Sequence, residues 1–213
     1  MPDPAAIGVF SLASLALLVV PGPSVLYIVT RGITQGRMAG LASVLGVHVG
    51  TTFHVAAATL GLTALLMRSI LAFNIVKYAG AAYLVYLGIR RLLDDDGPIQ
   101  TGSVKAHSLA RIFRQGVVVN VLNPKTALFF LAFLPQFVDV QKGSVPLQML
   151  ALGSIFIVLG LLSDGTYALV SSMLGNRLRT SGAFARRERL LSGSVYLGLG
   201  VGAALSGSRS NTA

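Results

Sequence analysis

Cysteine is absent from this chain of 213 residues, and acids are scarce, with seven Asp and Glu against 17 Lys and Arg. Without cysteine there is neither a disulfide nor a thiolate metal site, and nothing bears on the redox compartment. Charge of either sign is thin, at 11% of residues, while 54% are hydrophobic. Together with a mean hydropathy of +0.74, this excludes a soluble domain of ordinary composition. Catalytic signatures are lacking too. There is no H-E-x-x-H, no G-x-S-x-G and no P-loop, so Ser163 with Asp164, or His48, would have to supply any enzyme chemistry. No enzyme and no cofactor is expected.

Apolar runs fill the chain instead. Six are near the ~20 residues that cross a bilayer: Ala5 to Thr30, Met38 to Met67, Ile70 to Ile89, Val117 to Val138, Val145 to Leu174 and Leu190 to Leu205. They leave no room for a soluble domain. The expectation is one all-α integral membrane domain over 1–213, with six transmembrane helices.

The net charge of +10 could suggest nucleic acid, but the bases sit in short loops, where the positive-inside rule puts them. Arg31 and Arg37, then Arg90, Arg91, Lys105, Arg111 and Arg114, then Arg177, Arg179, Arg186, Arg187 and Arg189 occupy alternate connections. The opposite loops and tail hold Arg68, Lys142 and Arg209. That bias places the first set in the cytoplasm and the C-terminus outside. The segment Gly175 to Arg189 can lie on anionic lipid as a short amphipathic helix. Residues Ala5 to Val20 resemble a signal-peptide core, but Asp3 precedes them and no base does, so cleavage is not expected.

Two of the six runs are interrupted at matching places in the two halves, one by Pro21-Gly22-Pro23 and the other by Asn123-Pro124-Lys125. A proline inside a helix cannot donate to the carbonyl four residues back and collides with it, at roughly 3 kcal/mol. Leu17, Val19 and Asn120 should therefore carry freed carbonyls. Such groups persist at membrane depth only where they face protein or a wet cavity, and paired broken helices mark a transporter's substrate site. Helices 1 and 4 are thus expected to be broken, in two inverted three-helix repeats. The repeats would cover about 5–92 and 112–207, with a cytoplasmic linker over 93–111. Helix 1 can cross fully or turn back, and crossing is the expectation.

Asp164 is the one acid well inside an apolar run. A charge at the bilayer centre costs at least ~2.5 kcal/mol, so Asp164 implies a partner, a wet cavity or proton traffic; a neutral Asp164 bonded between helices is the plainer alternative. Lys125 and Lys77 are the cations able to neutralise it, although Lys77 can snorkel. Asn123 reads as an N-cap and Pro124 as the first residue of a new half-helix, whose amides, with Lys125, suit a carboxylate. Gly22 and Ser24 allow a matching arrangement in the first half, where carbonyls can face an ammonium. The rival is a pair of hinges that never touch substrate.

His48 and His54 stand six apart, on different helix faces, which argues against a two-histidine metal site. Either can relay protons or pack with Thr51 or Thr52. Tyr78, Tyr83 and Tyr86 read as interface or packing residues. Gly36 with Gly40, Gly46 with Gly50, and Gly198 with Gly202 let helices approach closely; they permit a homodimer without requiring one.

At these residues the chain resembles the LysE/RhtB family of amino-acid exporters. The matching strings are Pro21-Gly22-Pro23, Gly80-Ala81-Ala82-Tyr83-Leu84 through Leu87-Gly88-Ile89-Arg90, Phe113 with Gly116 leading to Asn123-Pro124-Lys125 and Phe129, and Leu134-Pro135-Gln136-Phe137. The resemblance spans essentially the whole chain. It implies export of threonine, homoserine, homoserine lactone, leucine or basic amino acids from a bacterial cytoplasm through the inner membrane, coupled to protons. Asp164 is the candidate carrier. The substrate-site candidates are Pro21, Gly22, Pro23, Ser24, Asn120, Asn123, Pro124 and Lys125, with Lys77, His48 and Gln136 secondary. His48 and His54 depart from the aliphatic second run expected of relatives. One intramembrane acid and no cysteine leave too few ligands for metal export. A channel, a structural membrane protein or a basic amino-acid exporter are the alternatives.

Overall fold

The computed structural model describes residues 2–68, 70–93 and 106–174, with residues 190, 194, 197, 198, 201 and 204. The Asp94 to Asp96 linker, the basic segment from Gly175 to Arg189, and most of the last apolar run lie outside the described residues. Within them every regular element is helical.

Helix α1 (Pro4–Val19) starts where the Asp3 carboxylate caps the Ala5 amide at 2.9 Å. It stops at Val20, in extended backbone. The chain restarts as α2 (Pro23–Gln35), bent 52° from α1. Gly36, at a φ of 80°, turns the chain into α3 (Arg37–Arg68). That left-handed conformation favours glycine. α4 (Ile70–Leu93) follows at once.

The second bent pair begins with α5 (Leu109–Val121), whose first turn is capped by Ser108. This start is earlier than the apolar run alone suggests, because Ile112, Gly116 and Asn120 form one buried face at a spacing of four and carry the helix through polar sequence. Arg111, at the end of the expected linker, and Arg114, grouped with the loop bases, are therefore both helical. After a 47° bend the chain resumes as α6 (Pro124–Leu128), with Asn123 as N-cap and Pro124 as first residue, as its order in sequence implies. α6 runs on as a π turn (Phe129–Phe133) and a 3₁₀ turn (Leu134–Phe137). α7 (Val145–Leu174) is the last long helix described.

Among the described residues two helices are long and apolar enough to cross a membrane, and counting each bent pair as one span makes four. α3 packs against α5, α7 and α2, while α1 and α2 both lie on α7. In lipid, close backbone approach replaces much of the hydrophobic drive between helices. A Cβ on Gly46 would collide with the Phe113 carbonyl, and one on Gly116 would lie 2.8 Å from the Ser43 carbonyl. The Gly46 and Gly50 pair thus serves packing inside the chain, against α5. A second cluster is aromatic: Phe10, Phe129, Phe130, Phe133, Phe137 and Phe156 touch with ring centroids 5.0–5.8 Å apart. Of its rings, Phe156 reaches the space between the two bends.

Candidate functional site

The two bends meet. Ser24, in the first turn of α2, donates to Asn120 Oδ1 at 2.9 Å, and Asn123 Nδ2 donates to Ser24 Oγ at 2.9 Å. Asn120 Nδ2 in turn donates to Thr51 of α3 at 2.9 Å, and Thr126 donates to Asn120 Oδ1 at 3.2 Å. All five side chains are buried, so the network joins both breaks to α3 out of reach of bulk water. Buried polar groups persist only when paired in this way.

The carbonyls freed by proline are taken up by protein donors. Leu17's accepts from the Val20 amide at 3.2 Å, and Val19's from the Tyr167 hydroxyl at 2.6 Å. The Asn120 carbonyl accepts from the Asn123 amide at 2.9 Å and from His54 Nε2 at 2.8 Å. A carbonyl only accepts, so His54 carries its proton on Nε2. Lys125 Nζ donates to the Val20 carbonyl, and the Lys125 amide donates to Asn123 Oδ1 at 3.0 Å. Carbonyls expected to face an ammonium, and an amide expected to face a carboxylate, are thus occupied within the protein in this conformation.

Asp164 is 3% exposed and lies on α7 facing His48 of α3, 5% exposed. His48 Nε2 is 3.1 Å from Asp164 Oδ2. The partner among the described side chains is thus the histidine rather than Lys125; Lys77 is on α4 with a side chain outside the described residues. The Cε1 edge of the His48 ring abuts Gly160, one turn before Asp164, where a Cβ would strike it. The other polar atoms of the pair, His48 Nδ1 and Asp164 Oδ1, are buried and make no hydrogen bond among the described residues.

Both halves of this arrangement line one cavity of about 30 Å³: Gly22, Ser24, Asn120, Asn123, Lys125 and Thr126 from the breaks, and His48 and Asp164 from α3 and α7. That volume holds a water or two and no amino acid. The conformation is closed around its polar centre. Pro21, Pro23 and Pro124 shape the walls without lining them. Gln136 donates to the Ala132 carbonyl at 2.7 Å and lines a separate cleft beside Asp3 and Lys142.

Over residues 15–207 the sequence matches the family model described as LysE type translocator. The chain belongs to the LysE type translocator family. Members are transporters, not enzymes, and this LysE chain is a multi-pass membrane protein with amino-acid exporters among its relatives. It is 30% identical over 194 residues to an uncharacterized membrane protein of Vibrio cholerae, covering 90% of this chain and 93% of that one. It is 33% identical over 171 residues to the homoserine/homoserine lactone efflux protein of Salmonella typhimurium, covering 78% and 80%. A leucine efflux protein of Enterobacter sp. is 30% identical over 181 residues, covering 84% and 80%. No solved structure matches the chain.

Sequence reasoning missed Thr51 as part of the network, and Thr126, Tyr167 and Gly160 altogether. Thr126 follows Pro124 by two residues and Gly160 precedes Asp164 by one turn, so both offered a spacing signal. Tyr167 offered none, since its role depends on α7 reaching the Val19 carbonyl.

Proposed function

We propose that this LysE family chain is a secondary transporter that exports a neutral amino acid or close derivative, homoserine, its lactone, threonine or leucine, from the bacterial cytoplasm. One observation carries the reading: both proline breaks and the intramembrane acid converge on one closed polar chamber. A channel needs a continuous pore, and the small cavity disfavours it. A basic substrate needs a second acid, which the lining lacks.

The two halves work as inverted repeats, both bent pairs crossing the membrane, with the basic loops in the cytoplasm and the C-terminus outside. Rocking one half against the other widens the chamber to either side in turn. As it widens, Lys125 leaves the Val20 carbonyl for the substrate carboxylate, and the ammonium settles at Asp164. Ser24, Asn120 and Asn123 orient the solute between them.

Asp164 also couples transport to protons. Asp164 lines the chamber and its Oδ1 atom has no partner among the described residues, and one carboxylate cannot hold a proton and an ammonium together. Mutual exclusion at that atom exchanges an inward proton for an outward amino acid. His48 holds the carboxylate when neither is bound.

The test is efflux of labelled homoserine, homoserine lactone, threonine, leucine and lysine from vesicles containing the purified protein, with and without an imposed pH gradient. Saturable, gradient-dependent release of a neutral substrate is expected. Release of none of them ends the export reading, and release that never saturates indicates a channel.

A further inference from the structure

A second group of cations sits where α2 meets the start of α5, at the wall of a cleft of about 700 Å³ apart from the polar chamber. Arg31 is its innermost member, only 6% exposed. The Arg31 guanidinium donates to Gln35 Oε1 at 2.8 Å and to Gln115 Oε1 at 3.1 Å, and lies 5.5 Å from the centre of the Tyr27 ring. Those partners are all neutral. Arg111 and Arg114 line the same cleft from the first turns of α5. Among the described residues no carboxylate pairs with any of the three. A buried charge without a counter-charge is costly, so the site is suited to an anion that none of the described residues supplies.

The surroundings say which anion. Arg111, Arg114 and Val118 of α5, with Leu122 at its C-cap, fall on one exposed stripe, Val118 being 56% and Leu122 74% exposed. Bases occupy one end of the stripe and apolar side chains the other. From Arg111 to Leu122 the helix rises about 16 Å at 1.5 Å per residue, close to half of a ~30 Å hydrocarbon core. A small soluble anion would use only the arginines. A phospholipid uses the whole stripe.

We propose that this cleft binds the phosphate headgroup of an anionic phospholipid, with Arg31, Arg111 and Arg114 on the phosphate and an acyl chain along Val118 and Leu122. Arginine suits the task because its planar fork meets phosphate oxygens two at a time. Basic pockets between membrane helices hold such headgroups in this way. The inference does not rest on the export reading.

The experiment measures lipid retained by the purified full chain after exchange into detergent containing phosphatidylglycerol or phosphatidylcholine of identical acyl chains. Wild type should retain phosphatidylglycerol preferentially, and Arg111→Gln with Arg114→Gln should cut that preference by roughly thirtyfold. Both arginines are exposed, so this variant tests the site without the folding risk of Arg31→Gln. Arg37→Gln, exposed and not lining the cleft, should change nothing. Equal retention of the two lipids by wild type overturns the proposal, as does an unchanged preference in the double variant. Displacement of phosphatidylglycerol by millimolar inorganic phosphate would mark a free-anion site and overturn the lipid assignment.

Discussion

The two helix breaks meet in one hydrogen-bond network yet contribute opposite chemistry. The Pro21-Gly22-Pro23 break supplies backbone: the Leu17, Val19 and Val20 carbonyls all accept, and Gly22 has no side chain to cap α2. The Asn123-Pro124-Lys125 break supplies side chains: Asn120 and Asn123 tie the network, and Lys125 donates across to the first break. Two prolines in three residues leave an excess of acceptors, whereas one proline flanked by Asn and Lys brings its own donors. Similar bends, 52° and 47°, therefore conceal a difference in what each break supplies, acceptors at the first and donors at the second; in the proposed function the second recognises and the first is held.

The largest expected effect removes the acid that shares the chamber with both breaks. Asp164→Asn should lower gradient-driven export by at least ~100-fold, within the range of a lost proton-transfer group, while the protein still inserts in the membrane. Normal pH-dependent export by that variant would take Asp164 out of the mechanism. Next, Asn120→Ala strands Ser24, Thr51 and Thr126, and should cost about 1–3 kcal/mol of stability in the membrane, read from thermal inactivation in detergent. A shift no greater than that of Ser24→Ala would break the asymmetry, because Asn120 would then be no more central than its counterpart.

Lys125→Ala should weaken binding of carboxylate substrates about tenfold, or ~1.4 kcal/mol, and of lactones or amides less, as measured by competition in counterflow. Equal losses for both classes would give Lys125 only its structural bond to Val20. The smallest effect belongs to the first break. Ser24→Ala leaves Asn123 Nδ2 without its acceptor and removes one donor to Asn120, for about 1 kcal/mol. A loss of export as large as that of Asp164→Asn would show that the first break recognises substrate as well.

The breaks were legible in the sequence because proline acts locally: Pro21, Pro23 and Pro124 lose their hydrogen bonds wherever the fold puts them. The Asn123 cap and Pro124 start were legible for the same reason. Asp164 stood out by its isolation among apolar residues. Its partner did not, since His48 is distant in sequence and formal charge favoured the lysines. The destinations of the freed carbonyls were equally hidden, because His54, Lys125 and Tyr167 reach them only once α3, α6 and α7 are packed. Local rules announced which groups were left over, and tertiary contacts decided what they met.

Val19 and Val20 are neighbours on one hinge, yet their carbonyls are gripped by different helices, Tyr167 of α7 and Lys125 of α6. Under the proposed rocking, releasing one grip leaves the hinge still clasped by the other, so the two must let go together. Such a device would convert a gradual flexing into a snap between two shapes, and a carrier that snaps dissipates little of the ion gradient in idle leakage.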